Sequence, residues 1–456
     1  MDSIGLFVKH VNEIDYNDLP PAVIENTKKL IIDSIGTGVA GQFAPGCIEA
    51  LEVVKAWQGS PEATVLLSDF RCPAPWAGML NSIFMHALDF DDTLDESAHH
   101  GNVSVLPAAM AVAEAKGGVS GKDLICAVTL GLDVSCRVAL SIKTPLSWTR
   151  ASTCGYFGAT TSAAKILGLN EEKLWNAYGI AYAQTAGNIQ ALVDGAMAKR
   201  MQLGFAVKDS ILSVALAEKG VTGAKNVLEG DYGYFKLYER DEYDKGVLLK
   251  DLGKDFYGNR LSTKPYPCCR ISHAAIDLAL ELRKEHEFDL EDIEKIIVTG
   301  SQMVHDVVGK PFEIRKNPQV DAQFNLPYTV ITALSKGSVR LSDFEQENVL
   351  NEKRIADLTS LVGVKKDTTI EAKDLMQCSM EIVTKTGRVF STRTSAPKGN
   401  PLNPMSIEDC NQKFRECFEY NPHNFEEKKV STILDILLHL EDLNDVRTLG
   451  EALGSP

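Results

Sequence analysis

The stretch from His86 to His100, HALDFDDTLDESAHH, places five carboxylates and three of the chain's nine histidines within fifteen positions. Titratable groups gathered this densely serve proton transfer, metal binding or phosphate chemistry. Asp89 to Leu94, DFDDTL, matches the DxDxT loop of haloacid dehalogenase-type hydrolases. Asp91 to Asp95, DDTLD, matches the DDxxD of class I terpenoid synthases, whose aspartates hold Mg²⁺ and diphosphate. A third reading is a carboxylate and histidine acid/base site without metal, because an aspartate beside an imidazole orients it and raises its basicity.

Each reading demands different positioning elements. The hydrolase loop must sit at the tip of a buried strand, yet WAGMLNSIFMHAL before Asp89 reads as helix, and Asp91-Asp92 is the only Asp-Asp pair in the chain. The terpenoid synthase needs a second metal motif on a facing helix. The nearest match, NDLPPAVIE at 17–25, lacks the hydroxyl and is broken by two prolines. The acid/base site needs a helix that continues through the motif, with His86, Asp89 and Asp92 or Thr93 on one face and a following loop that returns His99 or His100. Asp95 and Glu96 fit a solvated helix end.

The chain of 456 residues exceeds what one core usually organises. The fold class is read as mainly α, with a large all-α helical domain and a smaller α+β domain. Residues 1–262 form the helical part: stretches at 104–117, 121–141, 155–168, 171–191 and 204–219 carry apolar residues at helical spacing. Several are rich in Ala, Gly, Ser and Thr, which lets helix axes approach closely. Residues 263–398 read as α+β, with strands at 293–301 and 378–395, the latter a hairpin around KTGR. Residues 399–456 supply C-terminal helices that return to the helical domain.

Composition is that of a globular enzyme, 44% hydrophobic and 24% charged. The net charge of −15 argues against nucleic acid as a partner, while a few lysines at a pocket still suffice for a small anionic substrate. Apolar runs such as SVLPAAMAVAEA from Ser104 fall short of the roughly 18 residues of a membrane span. The ten cysteines show no CxxC pair and read as reduced, buried thiols. With an acidic start, MDSIGLFVKHVNEIDY, that lacks the marks of a signal peptide, a cytoplasmic location is expected.

HALDFDDTxxxxxxH followed by VLPAAMA resembles the MmgE/PrpD family, which includes 2-methylcitrate dehydratases, cis-aconitate decarboxylases and iminodisuccinate epimerases. Further matching segments are GAMAKRMQLGFA (195–206), STKPYPCCRISHAAID (262–277), FNLPYTVITAL (324–334), RVFSTRTSAPKGNPLNP (388–404) and HLEDLNDVRTL (439–449). The resemblance runs through nearly the whole chain. It implies an all-α domain built from both chain ends, an inserted α+β lid domain, a homodimer, and chemistry with no metal and no organic cofactor.

Position by position, the resemblance places acid/base and substrate-holding groups at Asp89, Thr93, His100, Lys199, Lys264 and Tyr328, with His273 near the second lysine. His100 is then the proton carrier oriented by Asp89. Lys199 and Lys264 offer fixed cations where charge develops, and Thr93 and Tyr328 hydrogen-bond the substrate. Each has a plainer alternative: an exposed helix cation for Lys199, a loop cap for Lys264, a satisfied core hydroxyl for Tyr328, a helix-start histidine for His273, and His99 in place of His100. Two departures from the family pattern stand out. Thr149 and Cys269 occupy positions where members carry histidines, and Cys269 is either an acid/base thiol or an inert buried cysteine. The implied function is a lyase or isomerase that abstracts a proton α to a carboxylate of a small di- or tricarboxylic acid. Dehydration of a 2-methylcitrate-like substrate comes first, with epimerisation of iminodisuccinate or decarboxylation of cis-aconitate as alternatives and a Mg²⁺-dependent terpenoid synthase from another class.

Overall fold

Helices begin where side chains satisfy the first amide groups of each segment. In the computed structural model, which describes residues 2–315 and 317–454, Ser120 and Asp123 form a reciprocal capping box at the start of the helix Gly121–Ser141. Ser406 and Asp409 do the same for Ile407–Tyr420. The chain is 58% helical with a small mixed sheet in its C-terminal part. The helix expected over 171–191 stops at Tyr182. Beyond it the chain passes through Gly187, whose φ of +129° no right-handed helix allows, and makes only a short turn at Gln190–Val193.

Backbone contacts divide the chain into two compact units, one of Met1–Ala87, Asp91–Leu261 and Ser406–Pro456, the other of Leu88–Phe90 and Ser262–Met405. In the first, Asn102–Lys116, Gly121–Ser141, Gly155–Leu167 and Ala198–Glu218 pack on one another. The small residues read from the sequence work here as spacers. A Cβ on Gly158 would lie 2.9 Å from the carbonyl oxygen of Gly131 and 2.8 Å from Val105, so two helices touch backbone to backbone. Gly158→Ala is therefore expected to cost about 1–3 kcal/mol through overpacking, read as a lowered urea midpoint with unchanged slope.

The helix Gly121–Ser141 corrects one expectation: it is long and apolar enough to cross a membrane by length and composition. In this fold 94% of its apolar window is buried by protein, which accounts for its composition. No disulfide forms among the described residues, and all ten cysteines are buried.

In the second unit a four-stranded sheet runs Val362–Lys366, Ile293–Gly300, Cys378–Thr384, Val389–Thr394. The first pair is parallel and the others antiparallel. Alternate residues Cys378, Met380, Ile382 and Thr384 are buried, and the helices His273–Glu285 and Leu326–Lys336 contribute Leu278, Ile331 and Leu334 to the same core.

Candidate active site

The helix Ala74–Met85 ends one residue before the motif. His86 is its C-cap, and residues 87–101 run as turns and isolated bridge residues. The shared helical face expected for His86, Asp89 and Asp92 is not formed. Asp89 at φ +56° and Ala98 at φ +52° take left-handed backbone that ends right-handed helix, and the Leu94 amide donates to the His99 carbonyl at 2.7 Å to close the turn.

In the first unit the polar groups of this loop converge on Asp91. Its Oδ2 accepts from Nδ1 of His86 at 2.8 Å and from Nδ1 of His100 at 2.9 Å, with the two rings edge to face, 4.8 Å between centroids. His100 Nδ1 also lies 2.7 Å from the main-chain oxygen of Asp92. A carbonyl only accepts, so this Nδ1 carries a proton and the neutral ring keeps its lone pair on Nε2. The Asp92 carboxylate accepts from the amides of Gly101 at 2.9 Å and Asn102 at 3.2 Å, tying the loop to the start of the helix Asn102–Lys116. That helix end also favours negative charge. The His100 side chain is 16% exposed, against 1% for His86 and 0% for Asp91, so His100 is the member of the cluster that solutes reach.

Burial alone would raise Asp91, but the two imidazoles outweigh it and hold its carboxyl well below the usual range. Burial, then the charge of Asp91, pushes Asp92 up to about 7. Burial pushes His86 down to about 4 against the pull of Asp91, with Lys199 adding to the depression. Lys199 is thus close enough to act on the cluster. It is half-buried and the second residue of Ala198–Glu218, where a cation opposes the helix dipole, so helix stability does not explain its place. Thr93 is buried just after the Asp-Asp pair.

Two histidines and a carboxylate are also a metal-ligand set, and their ligand atoms lie within 4.8 Å of one another. With Nδ1 of His100 turned to the Asp92 carbonyl, the lone pair that a metal could take is the one on Nε2. As the hydrogen bonds stand, the three side chains form a triad centred on Asp91 Oδ2.

His99 points elsewhere. It is fully buried, its Nδ1 lies 3.3 Å from the Arg150 carbonyl, and burial followed by the His100 charge pushes it down to about 3. A histidine depressed on folding contributes stability that is present above its unfolded value, about 6.5, and lost as pH falls towards 3. Folding free energy of His99→Gln minus that of the parent should shift in favour of the variant from pH 7 to pH 5, by up to about 1.4 kcal/mol per unit below 6.5. Denaturant titrations at several pH values check this, since the other groups are common to both proteins.

The second unit holds Asp89, Lys264, Tyr328, His273 and Cys269. Asp89 is the partner of Lys264, whose Nζ donates to the Asp89 carbonyl at 2.8 Å and pairs with Oδ2 at 3.3 Å. Within the first unit the carboxylate on His100 is that of Asp91, at 2.9 Å. Tyr328 donates its hydroxyl to the Asp343 carbonyl at 2.8 Å and packs its ring near Phe312 and Phe344. The hydrogen bond expected for a substrate is made to the main chain.

His273 opens the helix His273–Glu285. Its Nδ1 accepts from Arg270 at 3.2 Å and its Nε2 donates to the Cys268 carbonyl at 3.3 Å, while burial, then Arg270 and Lys264, hold it well below the usual range. Cys269 is 8% exposed and its amide donates to the Gln323 carbonyl. In the first unit, Thr149 donates its hydroxyl to the Asn188 carbonyl at 2.8 Å. Sequence reasoning missed Asp91 as the orienting carboxylate; its signal was the singular Asp-Asp pair.

Two family models match the chain, the MmgE/PrpD N-terminal domain over residues 6–245 and the MmgE/PrpD C-terminal domain over residues 266–440. The chain belongs to the MmgE/PrpD family. Among similar proteins, the cis-aconitate decarboxylase of Mus musculus is 25% identical over 477 residues, covering 99% of this chain and 93% of the relative. That of Homo sapiens is 26% identical, covering 99% and 94%, and that of Aspergillus terreus 26%, covering 96% and 93%. The MmgE/PrpD resemblance read from the motifs is borne out over nearly the whole chain.

Proposed function

We propose that this MmgE/PrpD protein is an enzyme that moves a proton at the carbon beside a carboxylate of a small di- or tricarboxylic acid, as a lyase or isomerase. His100 is the proton carrier. The observation that carries the proposal is the fixed Nδ1–H of His100, held by Asp91 and the Asp92 carbonyl, which leaves a basic Nε2 on the most exposed member of the cluster. Removing a proton next to a carboxylate builds a second negative charge, and the Lys199 ammonium near His86 is suited to meet it. Thr93 is suited to hydrogen-bond a substrate carboxylate or hydroxyl. The buried Lys264 and Asp89 pair fixes the middle of the motif.

Dehydration of a 2-methylcitrate-like acid is the first specific reading. Decarboxylation of cis-aconitate is the second, favoured by the names of the relatives. It asks the same imidazole, once protonated, to deliver a proton to the carbanion left by CO₂. Epimerisation of an iminodisuccinate-like substrate would reprotonate the same kind of carbanion. A homodimer in the cytoplasm belongs to the same proposal, supported by exposed Phe205 and Leu212 on the helix Ala198–Glu218 and by ten buried cysteines. The test is proton NMR of 2-methylcitrate, citrate, cis-aconitate and iminodisuccinate with the protein in EDTA. Loss of water or CO₂, or exchange at the α-carbon, supports the proposal, and four unchanged spectra refute it for these acids.

A further inference from the structure

We infer that His86 is a positioning residue: acting through Asp91, its Nδ1–H keeps His100 in the tautomer that leaves Nε2 available to the substrate. The inference deepens the proposed function and rests on it. Both imidazoles donate to one oxygen, Oδ2 of Asp91, and the other, Oδ1, is buried with no donor among the described residues. Asp91 is 0% exposed, so these two N–H groups are its side chain's whole supply of hydrogen bonds among the described residues. Removing one leaves a buried carboxylate with a single donor, and the least costly response of such a group is to take up a proton. A protonated Asp91 donates where it used to accept. The Asp91 hydroxyl then competes with the Asp92 carbonyl for Nδ1 of His100, and where Nδ1 turns to accept from Asp91 it gives up the 2.7 Å bond to that carbonyl, the ring proton moves to Nε2, and the lone pair that would take the substrate proton is gone. No group is transferred to His86, whose ring keeps its proton throughout.

The plain alternative is a core histidine that merely found a carboxylate. Isosteric substitutions separate the two, because the side-chain amide nitrogen of Asn stands near the position of Nδ1 and that of Gln near Nε2. His86→Asn keeps a donor on Asp91; His86→Ala and His86→Gln do not.

The test is the tautomer of His100, read by ¹⁵N NMR near neutral pH in the parent, His86→Ala and His86→Asn, with kcat and KM measured alongside. The parent and His86→Asn should show the Nδ1–H form. His86→Ala should shift towards Nε2–H and lose about tenfold or more in kcat with KM little changed, and His86→Asn should recover most of it. If His86→Ala fails to fold, the tautomer and kcat of His86→Asn decide alone. An unchanged tautomer and kcat in His86→Ala, or His86→Asn as impaired as His86→Ala, overturns the inference and leaves the proposed function standing. A parent ring found as Nε2–H overturns both.

Discussion

His100→Asn should lower kcat by about 10²–10⁴-fold, the range a positioned general base contributes, while KM and the unfolding midpoint change little. The side-chain amide of Asn can still donate to Asp91 Oδ2 and to the Asp92 carbonyl, so the buried carboxylate keeps its partner and the loop its anchor. What the substitution removes is Nε2. Lys199→Ala should likewise abolish turnover with the fold intact, since the half-buried ammonium has no evident part in helix stability. Asp95→Ala, on the turn between Leu94 and His99, should change little. Steady-state kinetics with matched circular dichroism melts check all three, and comparable activity across them would remove the site assignment.

Asp89→Asn should act first on stability, by about 3–5 kcal/mol, because it breaks a buried ion pair. Lys264 is 2% exposed, and Asp89 meets it with both its carboxylate and its carbonyl. The substitution preserves shape and the carbonyl bond, so the loss reads the removal of the Asp89 charge. Replacing both partners, as Asp89→Asn with Lys264→Met, should recover part of it, since an apolar pair carries no desolvation cost. Urea titrations of the single and double variants measure the coupling. A role for Asp89 in orienting His100, as the sequence suggests, would add a loss of kcat to the lost stability.

Asp89 shows where sequence reasoning stops. Elements elsewhere in the chain were legible because their signals are local: apolar periodicity marks Gly121–Ser141, and alternation around KTGR marks the hairpin Cys378–Thr384 and Val389–Thr394. The motif's own conformation was not, since its course depends on left-handed backbone at two non-glycine residues, Asp89 and Ala98. With the helix gone, the i, i+3 rule no longer applies inside the motif, and nothing in the sequence singled out Asp91 as a partner of His100. Choosing between His99 and His100 needed the same information. Tyr328 sits on an amphipathic helix, and a buried hydroxyl there finds the Asp343 carbonyl as readily as a ligand. The strand Val362–Lys366 was too short and too charged to announce itself, and pairs at the sheet edge with Ile293–Gly300.

The most direct test of the central claim, that His100 Nε2 takes a proton from the carbon beside a carboxylate, is deuterium incorporation from D₂O into that carbon during turnover, compared between the parent and His100→Asn. The account predicts wash-in at the α-position with the parent and its loss in the folded variant. Turnover without wash-in that persists in His100→Asn would contradict it.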